Sequence, residues 1–435
     1  MGVNFVGLVP SASFDNKVPE CPHGPMLLFE KADDCGSKAG RQFYACAACR
    51  DRKQCAFFLW RDERLPAEKV RQWRQRAAGE SRAASHRQRY DRARTILSGG
   101  GAQYCLTCTA LVPASAAAEH RSHPTRPADT ESARRPTQLL RPRACNKSSA
   151  QYLFSPDTVT VLDGVLGAAG VRRVLCCGTP RLHEHLLSAG QRDSLLLDLD
   201  ERFEEFWPPE TFSVYNMFNH HLISEEGHRA YREFVQRDGG RGLAVFVDPP
   251  FGARLEALAL TLRTIADECG SQPAVFLVLP YFNEPDVLRN LPGLHMTDFR
   301  VEYDNHNKYT SAAGGRKFGS PVRLFASVAP QLVTLPEPTY RLCAPCGRWV
   351  HADNRHCDRC RSCTSKDGRP YRHCAPCGRC VKVTWQHCAA CDRCALPDHP
   401  CAGQDRGVNR AVSAPTQPKR PAGHQPKKKP KRRRK

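Results

Sequence analysis

The chain has 435 residues, a net charge of +21 and a pI near 9.3, too long for one ordinary core and basic enough to predict a polyanionic partner, nucleic acid before membrane. No apolar run approaches the roughly 18 residues of a membrane span, and the amino terminus has neither a signal-peptide pattern nor, with Val6 breaking it, a myristoylation motif. Without an export signal, the 23 cysteines predict zinc ligands rather than disulfides.

Residues 1–15 read as a loose lead-in. Cys21-Pro-His23 follows, then Gly40-Arg-Gln-Phe-Tyr-Ala-Cys46 and Cys55-Ala-Phe-Phe-Leu-Trp60. Two ligands one residue apart and two more across a short loop suit a tetrahedral zinc between the strands of a small sheet. The pattern resembles the GRF-type zinc finger over residues 16–65. That resemblance assigns Cys21, His23, Cys46 and Cys55 to the ion and leaves Cys35 and Cys49 spare. It also implies contact with exposed nucleic acid, for which Arg41, Phe57 and Trp60 offer charge and stacking surface, although the same aromatics can be the finger's own core.

Residues 66–98 predict a basic helical segment, its arginines either a solvated face or a set of phosphate contacts. In residues 99–125, Cys105 and Cys108 precede His120 and His123 by eleven residues, a Cys2His2-type zinc site. Alanines 114 and 116–118 replace a basic recognition helix, so the site reads as a brace. Residues 126–148, rich in proline and arginine, read as a linker.

From 149 to 335 strands and helices alternate. A helix over Thr158–Ala169 leads to the strand Val171–Cys177 and the turn Gly178-Thr179-Pro180. Later strands end at Asp198-Leu-Asp200 and at Leu243–Val247, and others cover Ala274–Leu279, Phe299–Tyr303 and Val322–Phe325. This predicts an α/β, Rossmann-like parallel sheet with ligands at the carboxyl ends of its strands, flanked by small zinc modules. The strand Leu243–Val247 runs into Asp248-Pro249-Pro250-Phe251. There a carboxylate and a proline carbonyl can accept the two hydrogens of an exocyclic amine while an aromatic face stacks on its ring. The bland alternative is a strand-ending turn with a capping aspartate.

The order of glycine turn, second-strand acid and Asp-Pro-Pro-Phe resembles the class I S-adenosylmethionine-dependent methyltransferases that act on N6 of adenine. The resemblance implies that Cys177, Gly178, Thr179 and Pro180 lie along the cofactor's methionine part and that Asp198 or Asp200 binds its ribose. It further implies that Gln151, Tyr152, Phe154 and Ser155 close over the cofactor and that Asn216 and Asn219 border its adenine. Asp248, Pro249, Pro250 and Phe251 would grip the base, Asp248 also bordering the cofactor, with the segment from Asp304 to Lys308 on the substrate side. Cys176-Cys-Gly178-Thr-Pro180 departs from the family's Asp-x-Gly-x-Gly.

Residues 336–403 repeat His-Cys-x2-Cys-x2-Cys at His356, His373 and His387. An interlocked grouping is preferred: Cys343, Cys346, His356 and Cys363; Cys357, Cys360, His373 and Cys380; Cys374, Cys377, His387 and Cys394. A fourth site takes Cys388, Cys391, His399 and Cys401. The array is similar to the cysteine-rich part of DHHC palmitoyltransferases, but Asp398-His-Pro-Cys401 lacks the second histidine and no membrane spans exist. Taken whole, residues 16–403 resemble the zinc-finger CCHC-domain-containing adenosine N6-methyltransferases of large-subunit (28S) rRNA. That implies S-adenosylmethionine and several zinc ions as cofactors, and as partner an unstacked rRNA adenosine in a loop or bulge, with ribosome-assembly or RNA-processing proteins beside it. Rival readings are a catalytically silent RNA-binding scaffold, or the same enzyme acting on another RNA, on DNA or on a protein glutamine. The basic tail 404–435 predicts a nuclear and nucleolar address, with some of the protein in the cytoplasm.

Overall fold

The computed structural model describes residues 3–32, 39–49, 53–78, 84–143, 151–306 and 319–401. The tail, Cys35 and Lys308 lie outside them. Among the described residues no helix is long and apolar enough to cross a membrane.

The finger is a four-stranded antiparallel sheet of β1 (Val3–Gly7), β2 (Leu27–Lys31), β3 (Gln42–Ala45) and β4 (Phe58–Trp60). The expected lead-in is therefore corrected: residues 3–7 form an edge strand paired with β2. The expected single helical segment is two helices, α1 (Ala67–Ala78) and α2 (His86–Ser98). Helix α1 packs on the finger through Val70 and Trp73, and the Trp73 indole donates to the Glu20 carbonyl at 2.6 Å. Helix α2 starts in a capping box between Ser85 and Gln88 and lies on the next domain. There the His86 ring meets the Trp207 carbonyl at 2.8 Å, Arg89 pairs with Glu204 at 2.9 Å, and Arg87 pairs with Glu210. Part of the basic run thus neutralises buried and rim acids rather than forming a free phosphate-binding face.

Strands β5 (Gln103–Cys105), β6 (Ala110–Val112) and β7 (Thr125–Pro127) form the sheet of the second zinc module. The reading of 126–148 as a linker fails over residues 126–143. Strand β7 pairs with β5, and helix α3 (Pro136–Leu139) follows, its Thr137 amide and hydroxyl donating to Glu184 at 2.9 and 2.8 Å. Leu139 and Leu140 belong to the main core. Prolines and arginines mislead here because the apolar contribution is confined to a few residues.

The large domain is an eight-stranded sheet. Its elements in order are α4 (Pro156–Ala168), β8 (Arg173–Cys177), α5 (Pro180–Ala189), β9 (Asp193–Asp198), β10 (Phe212–Asn216), β11 (His221–Leu222), α6 (Glu225–Gln236) and β12 (Leu243–Val247). Then come α7 (Leu255–Cys269), β13 (Ala274–Pro280), α8 (Glu284–Asn290), β14 (His295–Arg300) and β15 (Val322–Ala326). Spatial order is β11-β10-β9-β8-β12-β13-β15-β14. Strands β8, β9, β10, β12 and β13 run parallel, whereas β11, β14 and β15 join antiparallel, which makes the sheet mixed. The run Leu243–Val247 is buried on both faces, as a central strand covered by helices must be. Chain order reverses between β8 and β12, so their carboxyl ends border a topological switch point.

The cysteine-rich segment is a string of hairpins, the first of β16 (Tyr340–Cys343) and β17 (Arg348–His351). It is fastened to the free edge of the large sheet through Asp298 on β14. That buried carboxylate accepts from Arg348 Nη1 at 3.0 Å, the His351 amide at 3.0 Å and Asn354 Nδ2 at 2.6 Å.

Candidate active site and zinc centres

At the switch point, β8 and β12 are in register with Cys177 opposite Val247, so the two turns that follow lie side by side. The Asp248 amide donates to the Cys177 carbonyl at 3.1 Å. Gly178 has φ +68°, and a Cβ there would stand 3.1 Å from the Asp248 carbonyl oxygen and 3.0 Å from Met217 Cε. One glycine is therefore enough to make this turn. Cys176 and Cys177 are strand residues with their side chains in the core, so Cys177 can offer a ligand only its backbone. Thr179 is buried, and Pro180 starts α5.

Asp198 and Asp200 divide their work. Asp200 is buried and accepts from Arg202 Nε at 2.8 Å, Arg143 Nη2 at 3.1 Å and Gln151 Nε2 at 3.4 Å. Burial opposes its charge, but the bonds and charges of Arg202 and Arg143 hold it below the ordinary carboxylate value. Asp200 is thus engaged inside the protein, whereas Asp198, at the end of β9, accepts from the Asp200 amide at 2.9 Å. Burial, reinforced by the neighbouring Asp200 charge, pushes Asp198 up to about 7.

Asp248 sits half-buried with its carboxyl set against a ring cluster. Tyr303 donates its hydroxyl to Oδ1 at 3.1 Å, and burial pushes the group well above the usual carboxylate range, Tyr303 pulling it back. Phe251 stacks on Tyr152 with ring centroids 5.9 Å apart and planes at 22°. Tyr152 also meets Tyr303 and His306. Phe154 is a core residue packed on Phe246 and Tyr303, and Ser155 caps α4 by accepting from the Thr158 amide. Gln151 joins Asp200 to Asn305, whose Nδ2 donates to the Gln151 carbonyl at 2.8 Å, and Asp304 pairs with Arg181.

Asn216 and Asn219 carry a contact between the finger and the large domain. Both are buried and donate to the His23 carbonyl at 3.1 Å, and Asn219 also donates to the Pro25 carbonyl at 2.7 Å. Their side-chain amides fasten the zinc loop of the finger to the catalytic domain. Gly24 at φ +91° fits this contact because a Cβ would come within 2.3 Å of His221. Beside the junction lies a cavity of about 550 Å³ between Phe29 and Phe43 of the finger, Pro250 and Gly252 of the turn, and Arg254 and Asn283. The expected stacking surface is partly internal: Phe57 meets Trp73 edge-on at 4.9 Å, while Trp60 carries the Arg41 guanidinium 4.0 Å from its ring centre.

The structure brings the candidate zinc ligands together. The donor atoms of Cys21, His23, Cys46 and Cys55 lie within 4.8 Å of one another. So do those of Cys105, Cys108, His120 and His123, and of the three interlocked sets beginning at Cys343, Cys357 and Cys374. In the last set Cys388 and Cys401 are 3.6 Å apart, and Cys391 lies 3.4 Å from His399. Thiolates and imidazoles converging in fours fit zinc, and a thiol-rich set excludes magnesium or calcium on donor softness. Cys49, read as spare, has its sulfur 3.8 Å from His23 Nε2, beside the finger's quartet. Partly buried Asp198 and the tight Gly178 turn likewise fit a cofactor carrying ribose hydroxyls.

Sequence reading missed Tyr303 as a partner of Asp248. Its signal was the alternation Phe299, Val301, Tyr303, all buried, which takes a polar hydroxyl inward where it needs an acceptor.

Comparison with known proteins identifies two parts of the chain. Residues 145–321 match the family model "Probable N6-adenine methyltransferase", and residues 19–64 match "GRF zinc finger". The human protein named rRNA N(6)-adenosine-methyltransferase ZCCHC4 is 42% identical over 415 residues, covering 89% of this chain and 79% of its own length. Relatives of the same name from Mus musculus and Xenopus tropicalis are 41% and 40% identical, each covering 78% of this chain and 70% and 73% of their own lengths.

Proposed function

The chain belongs to the ZCCHC4 family of rRNA N6-adenosine-methyltransferases, and from that we propose that it transfers a methyl group from S-adenosylmethionine to N6 of an adenosine in large-subunit (28S) rRNA. One observation carries the reading: the Asp248-Pro249-Pro250-Phe251 turn lies at the switch point, hydrogen-bonded to the end of the glycine-turn strand, with Phe251 stacked under Tyr152.

When bound, S-adenosylmethionine supplies an electrophilic methyl group. Asp198 would hold the cofactor's ribose hydroxyls, and the Gly178 turn would admit its chain because no side chain stands there. Asp248 accepts one N6 hydrogen and the Pro249 carbonyl the other. Pro250 keeps the turn rigid, and Phe251 stacks on the adenine. Held this way, the nitrogen lone pair would be aimed at the methyl carbon; as the N–C bond formed the methyl–sulfur bond would break, the sulfur leaving with its electron pair as a thioether, and the N6 proton would pass to solvent. Such a site works by positioning rather than by a strong base. An adenosine must be unstacked to enter it, which favours a loop or bulge. The cavity beside Pro250, walled by Phe29 and Phe43, suits RNA flanking that adenosine, with the zinc modules holding the surrounding strand. The tail 404–435 is assigned as a nucleolar address, and deleting residues 419–435 should move a tagged protein towards the cytoplasm.

The test is incubation of zinc-replete protein and Asp248→Ala with radiolabelled S-adenosylmethionine and total cellular RNA, followed by digestion to nucleosides. Label in N6-methyladenosine from large-subunit rRNA, lost in the variant, is expected. Absence of label together with absence of cofactor binding refutes the enzyme in favour of a scaffold.

A further inference from the structure

Tyr303 is fully buried, and both its backbone and its ring are immobilised. Its residue forms an isolated antiparallel bridge with Phe154. The flanking amides complete the clamp, Ser155 N donating to Glu302 O and Asp304 N to Leu153 O, each at 2.9 Å. The ring lies 5.4 Å from Phe154, 5.7 Å from Tyr152 and 6.2 Å from Phe251. Such a phenol cannot swing away from the carboxylate. Among the described residues it is the one side chain hydrogen-bonded to the Asp248 carboxylate. Other groups facing the site are the Cys177 carbonyl from β8, Tyr152 with His306 behind it, and Asp304, already paired with Arg181. No lysine or arginine among the described residues bonds to Asp248.

A carboxylate in so apolar a place tends to take up a proton, and a protonated oxygen is a donor where the reaction needs an acceptor. A phenol hydroxyl held in place beside that oxygen donates to it steadily. We propose that Tyr303 is the positioning residue of the reaction: by donating to Oδ1 it favours the carboxylate form of Asp248 and fixes it in rotation, leaving Oδ2 as the acceptor for the N6 hydrogen. This rests on the assignment of Asp248 given under Proposed function.

Tyr303→Phe keeps the ring and removes the donor. Expected are a fall in kcat of about 10- to 100-fold, with cofactor Kd and RNA KM held within about twofold, and an acid limb of kcat/KM displaced to higher pH. In an Asp248→Asn background, whose acceptor does not titrate, Tyr303→Phe should cause a smaller further fall and no limb shift. Replacement of Tyr303 by 3,5-difluorotyrosine, a more acidic phenol of nearly the same shape, should add an alkaline limb, a readout that packing alone does not move. The proposal is overturned if kcat and the acid limb of Tyr303→Phe match wild type, if its effect is the same in both backgrounds, or if the fluorinated protein has no new limb. If Asp248→Ala itself retains methylation, the assignment of Asp248 fails. If Asp248→Ala is inactive while Tyr303→Phe behaves as wild type, only the role of Tyr303 fails.

Discussion

Replacing Asn219 with alanine should loosen the finger from the catalytic domain while leaving both folded. The side chain donates to the Pro25 carbonyl at 2.7 Å and the His23 carbonyl at 3.1 Å. Each bond is worth about 1 kcal/mol net. The wild-type Oδ1 is buried with no hydrogen-bond partner, so its removal returns part of that stability. The unpaired Pro25 carbonyl left behind offsets the return, and a net cost of about 2 kcal/mol follows, or roughly 30-fold in the population of the opened interface. His23 keeps its bond from Asn216, so the zinc loop should detach transiently rather than unfold. Hydrogen exchange read by mass spectrometry over residues 19–28 should accelerate by about that factor, with exchange in β8 and β12 unchanged. Gly24→Ala, which drives a methyl group into His221, should do the same more strongly. Exchange over 19–28 at the wild-type rate in both variants would refute the reasoning and make the junction an incidental contact.

Cofactor affinity should depend on pH through Asp198. Held up to about 7, it accepts ribose hydroxyls best when ionised, so Kd should rise about tenfold per unit as pH falls below 7 and be flat above it. Because this pKa is raised on folding, ionising the group costs stability as pH rises from about 4 to 7. Calorimetric titrations between about pH 5.5 and 8.5 check both signs, and Asp198→Asn should abolish the binding slope. Asp200→Ala should cost about 3 kcal/mol in denaturant unfolding by leaving Arg202 unpaired in a buried place; a loss under 1 kcal/mol would contradict the buried role assigned to it. Stripping zinc should open residues 343–401 to protease within minutes, since structural zinc contributes folding energy directly, and a digestion pattern unchanged by zinc loss would tell against the ligand sets.

Much of the large domain was legible because its strands are short apolar runs ended by glycine, aspartate or proline. The run Leu243–Val247 is wholly buried and stops where Pro249 cannot donate to a ladder. Zinc ligands were legible because coordination needs particular donors at particular intervals. What was not legible depended on tertiary partners. Nothing local marks Asn216 and Asn219 as clamps for a carbonyl nearly two hundred residues earlier, and a border of the adenine was an equally sound expectation. Residues 126–143 hid a strand and a helix among prolines and arginines because Leu139 and Leu140 gain their meaning only against the large core. The capping role of Ser155 was hidden because a helix cap and a ligand contact ask for the same hydroxyl.

The carboxy-terminal hairpins have neighbouring residues serving different ions: His356 belongs to the set of Cys343 while Cys357 opens the next, and His373 and Cys374 repeat the arrangement. Successive side chains on a strand point to opposite faces, so each two-residue step pins one strand from both sides at once. The segment is stitched like a laced boot, in which slackening one eyelet frees the strand between it and the next. Metal loss should therefore spread along the array as a front, and a partly loaded chain should divide into laced and unlaced molecules rather than lose each ion independently.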